Sequence, residues 1–151
     1  MKQECSNIYR NARTAAGLTQ ERFSEMLGVS PEAVRQYEGG KILPSDEVVM
    51  RMAEVSGMPI LGYWHLKEKS KVAAGLLPEV KRLPIGLAVL QLVRRVREYA
   101  KANTEDVLIT IAEDGTVSPD EWPAFEAALE ELDGIVQAAL ALRWAELDWK
   151  E

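Results

Sequence analysis

The chain has 151 residues, 47% hydrophobic and 28% charged, with a formal net charge of −6; this is the balance of a soluble globular chain holding one domain or two small ones. The most apolar stretch, residues 83–93, contains Pro84 and Gly86 and is too short to span a membrane, and the polar start from Met1 carries no secretory signal pattern, so no membrane role and a cytoplasmic location are expected. One cysteine, Cys5, cannot form an internal disulfide, and with one histidine, His65, the chain lacks soft-ligand spacing, so no metal and no cofactor is expected.

Cys5 reads as a small residue opening the first helix rather than as a redox switch. Residues 17–45 carry the most informative pattern. Thr19 caps a helix on which Phe23, Met26 and Leu27 form one buried stripe. Gly28 stops it, as a residue suited to positive φ. Val29 turns inward, Ser30 caps the next helix, and Pro31 takes the first position, where a missing amide costs nothing. In this second helix Val34 and Tyr37 face the core, leaving Pro31, Glu32, Ala33, Arg35 and Gln36 outside. Gly39 and Gly40 end it, Pro44 prevents its continuation, and Ser45 with Asp46 and Glu47 starts another helix with charges suited to its dipole.

Arg13, the Gly17-Leu18-Thr19-Gln20 run, Leu27-Gly28-Val29-Ser30, Val34, Tyr37-Glu38, Gly40-Lys41 and Pro44 stand in the register of a known family. Over residues 6–66 the chain resembles the lambda-repressor-like, Cro/Xre-type helix-turn-helix regulators. The resemblance implies a five-helix domain that binds double-stranded DNA, with Arg13 paired to Glu38 to fix the angle between the first and the recognition helix. It also implies that Gln36 lies where relatives touch a base. Pro31 and Glu32 depart from the pattern, since relatives often present Gln, Arg or Ser there.

Groove chemistry assigns roles to these residues. Gln36 both donates and accepts, which suits the paired edge of adenine. Glu32, acceptor-only when ionised, suits a cytosine amino group, and Pro31 offers apolar contact to a thymine methyl. Ser30 stands at the same helix start. Gln20, Lys41 and Arg35 are candidate phosphate contacts, which set register without reading sequence. The alternative is that Glu32, Arg35 and Gln36 form an ordinary solvated face. Residues 1–69 hold nine Lys/Arg against nine Asp/Glu, so phosphate neutralisation alone gives weak affinity and two linked half-sites are needed.

Gly75, Pro78 and Pro84 mark residues 70–82 as a linker or hinge. A helix follows over residues 84–102, with Leu83, Leu87, Leu90, Val93 and Val96 as its apolar stripe and Arg94, Arg95 and Arg97 on its surface. These arginines either add phosphate contacts or answer the acidic tail. Residues 70–101 carry seven basic and two acidic residues, whereas residues 102–151 carry two basic and thirteen acidic. The β-branched run from Asp106 to Ala112 reads as helix, because no other segment offers a strand to pair with it. Asp114-Gly115 makes a turn, and Ser118 caps a helix opening with Pro119, Asp120 and Glu121. Asp114, Gly115, Val117, Ser118 and Glu121 match the later half of a calcium loop, yet Thr110 and Ala112 stand where its first carboxylates belong, so calcium is not expected.

The last helix is expected from residue 121 or 123 to 147, with Trp122, Phe125, Leu129, Leu132, Val136, Ala139 and Arg143 along one stripe. Leu140, Trp144 and Leu147 form a parallel one. This band either joins two chains as a homodimer or covers the residue 83–96 helix within one chain. Ala138, Ala139 and Ala141 permit close approach in both cases. Some relatives carry a self-cleaving, β-rich carboxy-terminal domain, but this segment reads as helical. No catalytic residues are expected: His65 beside Trp64 reads as packing, and Glu130-Glu131 as a solvated face. The whole is read as an all-α regulator. Its domain of residues 1–69 binds DNA, and its acidic module of residues 83–151 dimerises or receives a protein or small-molecule signal. The competing reading is an adaptor or antitoxin-like partner that works through the acidic helices.

Overall fold

The computed structural model describes residues 7–147, so the role given to Cys5 lies outside the described residues. All its elements are helical, and the chain divides into two compact units between Leu77 and Pro78.

The first unit contains α1 (Ile8–Ala15), α2 (Gln20–Leu27), α3 (Pro31–Glu38), α4 (Asp46–Ser56), α5 (Leu61–Lys69) and α6 (Lys71–Leu76). Side chains start the first four. Asn7 accepts from the amides of Tyr9 and Arg10, Thr19 from Arg22, Ser30 from Ala33, and Ser45 from Val48. Each such cap contributes about 1 kcal/mol. At the other end of α2, Gly28 adopts φ +69°. Its amide donates to Glu25 O and the Val29 amide to Ser24 O, a closure that needs the left-handed residue in the middle. Arg51 of α4 donates to the carbonyl of Leu27 at 3.0 Å, tying α4 to the turn.

The core joins Tyr9 and Ala12 of α1, Phe23 and Leu27 of α2, Val34 of α3, Val49 and Met52 of α4, and Ile60 and Leu61. Each large side chain here stabilises by about 1.5–3 kcal/mol. Met26, expected on the buried stripe, is 44% exposed, and Ser24 is buried in its place. At 100° per residue positions 24 and 26 lie about 80° to either side of the face centred between Phe23 and Leu27, and the flank carrying Ser24 is the one that is covered. Residues 70–82 do not begin as a linker. Ser70 accepts from the Ala73 amide and opens α6, and Lys67 Nζ donates to Leu77 O beyond its end.

His65 is buried and holds α1, α4 and α5 together. Its Nδ1 lies 2.8 Å from the Tyr9 hydroxyl and its Nε2 3.1 Å from Asp46, which Lys69 also contacts at 2.8 Å. A neutral imidazole satisfies both: the Tyr9 hydroxyl donates to Nδ1 and Nε2–H donates to Asp46. Burial, then the charge of Glu68, pushes the Tyr9 hydroxyl up to about 12.

The second unit contains α7 (Ile85–Lys101), α8 (Thr104–Asp114) and α9 (Trp122–Arg143). The run from Asp106 to Ala112 is helical. Asn103, at φ +53°, turns the chain from α7 into α8, a conformation its short polar side chain tolerates. Ser118 and Glu121 cap each other before α9: the Ser118 amide donates to Glu121 Oε2 and the Glu121 amide to Ser118 Oγ. Asp114 accepts from the Thr116 amide. The residues that resemble half a calcium loop thus close a turn, and no metal-holding group occurs among the described residues.

Two expectations for this unit are corrected. The last helix stops at Arg143 rather than 147, because the Glu146 amide donates to Leu83 O at 2.8 Å and its carbonyl accepts from the Ile85 amide at 3.1 Å. This clasp joins the end of α9 to the start of α7, so the two run antiparallel. The expected apolar stripes are not buried: Leu87, Leu90, Val93 and Val96 of α7 are 39–67% exposed, and Trp122, Leu129 and Val136 of α9 are 42–51% exposed. Ala88, Ala128, Ala138 and Ala141 are buried instead. Small side chains bring the backbones close, and a narrow seam leaves larger residues on its flanks. Glu131, assigned to a solvated face, is half-buried and accepts from Thr104 Oγ1. Among the described residues no helix is long and apolar enough to cross a membrane.

Candidate nucleic-acid interface

The angle between the helices of the motif is set from beneath α3. Glu38 is 3% exposed. Arg13 donates to both of its carboxylate oxygens through Nε and Nη2, and Gln20 Nε2 donates to Oε2 at 2.8 Å. A third Arg13 nitrogen reaches Leu18 O at 2.7 Å, and Arg10 Nε lies 3.7 Å from the carboxylate. Burial raises the Glu38 carboxyl, but the hydrogen bonds from Arg13 and Gln20 and the charges of Arg13 and Arg10 outweigh it and hold it below the ordinary range. Asn7 Nδ2 adds a bond to Tyr37 O at 2.9 Å. Two helices, α1 with its cap Asn7 and α2 through Gln20, therefore grip the C-terminal end of α3. The sequence signals the arginine and the glutamate; nothing in the spacing marks Asn7 or turns Gln20 inward.

The opposite face of α3 is open. Pro31, Glu32 and Arg35 are exposed, Gln36 is half-buried, and Ser30 and Lys41 flank the helix in the open. These six stand together at one side of the unit. Gln20 is half-buried at the start of α2 and donates one amide N–H to Glu38. Ser30 uses an oxygen lone pair for its cap and keeps a hydroxyl proton to donate. Tyr37 is half-buried, whereas Val34 is fully buried. Ile42 and Leu43, next to Lys41, are 50% and 51% exposed, an apolar loop that the residue pattern did not single out.

Within this face the charged groups are already paired. Arg35 Nε donates to Glu32 Oε2 at 3.0 Å, and Gln36 Nε2 donates to Glu32 Oε1 at 3.3 Å. The hydrogen bond from Arg35, then that from Gln36, lowers the Glu32 carboxyl, so it is ionised at neutral pH. With its amide nitrogen turned to Glu32, Gln36 keeps its oxygen and a second N–H for an incoming base edge. Arg35 is partly neutralised, while Lys41, in the loop after α3, is exposed and acts on Glu32 through its charge alone.

Residues 10–61 match the family model described as Helix-turn-helix. The first unit is thus a Cro/C1-type helix-turn-helix domain, the architecture of DNA-binding transcriptional regulators. Multiprotein-bridging factor 1a of Arabidopsis thaliana is 25% identical over 59 residues, which cover 39% of this chain and 42% of that protein. The match therefore spans less than half of either molecule. No solved structure matches the chain significantly.

Proposed function

We infer that this protein is a sequence-specific transcriptional regulator that represses by occupying a near-palindromic operator as a homodimer. One observation carries the reading. The Arg13–Glu38 pair and the Gly28 turn hold α3 by its inner face, so that Pro31, Glu32, Arg35 and Gln36 face outward as a row on a rigid helix. Gln36 and Glu32 read base edges, with Pro31 against a thymine methyl; Ser30, Arg35 and Lys41 bind phosphates. This assignment is enzyme-free and places the protein's work in the cytoplasm with its DNA.

Dimerisation answers a shortfall of charge. A domain whose acids and bases balance gains little from counterion release, and a second copy on a second half-site doubles both the interface and the phosphate contacts. The exposed row Trp122, Leu129 and Val136 repeats every seven residues along α9, and Val89, Val93 and Val96 are exposed on α7. That repeat is the pattern by which helices associate. Two joined copies would read half-sites about 34 Å apart, or a multiple of this. Selection of bound duplexes from a random library tests the reading: an enriched two-fold-symmetric site supports it, and no enrichment contradicts it.

A second reading has its own support. The name of the plant relative describes a bridging factor between proteins, and the Glu32–Arg35 pair removes charge from the DNA-facing row. In that case the acidic unit holds a protein partner, in the manner of an adaptor or antitoxin, and DNA binding is secondary. A chain that stays soluble only when produced with a partner favours it.

A further inference from the structure

The second unit contains a cleft of about 330 Å³ between the segment before α7 and the facing sides of α7 and α9. Its volume is in the range of sites for small metabolites. Lys81, Arg94 and Arg95 line it together with the amides of Gln91 and Gln137, and Glu79 is the one carboxylate among the lining residues. Leu83, Ala138 and Ala141 give the cleft an apolar floor. Lys81, Arg94 and Arg95 all come from the basic stretch of residues 70–101, and the cleft gathers them against α9 of the acidic stretch that follows.

Two details fix how these groups are held. Gly134 sits within the 22-residue α9, where glycine costs about 1 kcal/mol relative to alanine. A Cβ at this position would lie 3.3 Å from both Cζ and Nε of Arg95. The missing side chain leaves room for Arg95 to pass close to α9 from Cδ to Cζ, so the glycine places a cation. Gln137 is anchored likewise, its Nε2 donating to the carbonyl of Glu79 at 2.5 Å. Arg94 meets Glu98 through Nε at 2.8 Å, while Arg95 Nη1 lies 3.8 Å from the same carboxylate. A guanidinium has five donors, so one carboxylate at the rim orients the two arginines without saturating them.

We propose that this cleft binds a small organic anion bearing more than one carboxylate or phosphate oxygen group, gripped by Arg94, Arg95 and Lys81 with its carbon frame on Leu83, Ala138 and Ala141. Planar guanidinium donors suit bidentate oxyanion recognition, and the two glutamine amides suit hydroxyl or carbonyl groups between the anionic ends. The ligand would be what the acidic unit receives as a signal.

Calorimetric titration of the full chain in about 0.15 M salt, where screening acts within about 8 Å, tests this. Citrate probes the carboxylate source, glucose 6-phosphate the phosphate source, and glucose is the neutral control. Saturable one-to-one binding of citrate or glucose 6-phosphate, and none of glucose, is expected; the tighter of the two identifies the source. Arg94→Ala, at a side chain 76% exposed and safe for folding, should weaken binding at least tenfold. Gly134→Ala keeps every charge and favours the helix, yet should weaken binding several-fold by lifting Arg95 from its seat. Absence of saturable binding by both anions overturns the proposal. So does affinity unchanged in both variants, which would mean attraction to the surface at large. Neither outcome depends on whether the first unit binds DNA.

Discussion

Arg13 and Glu38, 25 residues apart, meet through two parallel hydrogen bonds, with the carboxylate 3% exposed. This contact joins α1 to the end of α3, so the packing of the domain and the presentation of the outward face of α3 lean on one ion pair. Arg13→Ala leaves a buried carboxylate with Gln20 and the more distant Arg10. It should cost about 3 kcal/mol, the lower part of the range for breaking a buried pair. Urea unfolding monitored by circular dichroism measures it; a loss under about 1 kcal/mol would show that the pair is incidental.

The same contact sets a pH dependence. The Glu38 carboxyl is held below its ordinary value in the folded chain. A depressed carboxyl contributes stability that is complete above its unfolded value, about 4.3, and is lost as pH falls through the folded value. Melting temperature should therefore fall more steeply below about pH 4.3 in the parent chain than in Glu38→Gln. Equal slopes would remove Glu38 as the source.

Much of the first unit was legible because its signals are local. Thr19, Gly28, Ser30, Pro31 and Ser45 act on the nearest turn, and each acts where the pattern put it. Long-range partners were less legible. Gln20 was assigned to phosphate on its position alone, and only the fold brings Glu38 within reach of its amide. The second unit resisted for a different reason: Leu87, Leu90, Val93 and Val96 have helical spacing, but Ala88, Ala138, Ala141 and the Gly134 seat set the seam. Periodicity locates an apolar face and does not say whether small or large residues will meet across it.

On the outer face of α3, Glu32 occupies Arg35 and Gln36 at once. Glu32→Ala should release both, raising affinity for arbitrary duplexes and steepening the dependence of log affinity on log salt by about one phosphate's worth. Discrimination between sequences should fall. Titration of a random duplex at four salt concentrations reads the slope, and a slope equal to the parent's would show that Arg35 is not held back by this pair.

If the seven-residue row on α9 joins two copies, Val136→Glu should dissociate the dimer. The substitution places charge in an apolar seam while leaving the Ala138 and Ala141 contacts within the chain. Sedimentation equilibrium should then give a monomer mass with unchanged helical content. A parent chain that is already monomeric, or a variant still dimeric, would move the interface elsewhere.

Base reading by α3 is tested most directly with Gln36→Ala, titrated against the best selected duplex and against every single-base change of it, with Lys41→Ala as companion. For a reading residue, the variant should lose about 1–3 kcal/mol of discrimination at one base position per half-site and keep it elsewhere, while Lys41→Ala weakens all duplexes alike. Uniform loss across every duplex for Gln36→Ala would contradict sequence reading by this face.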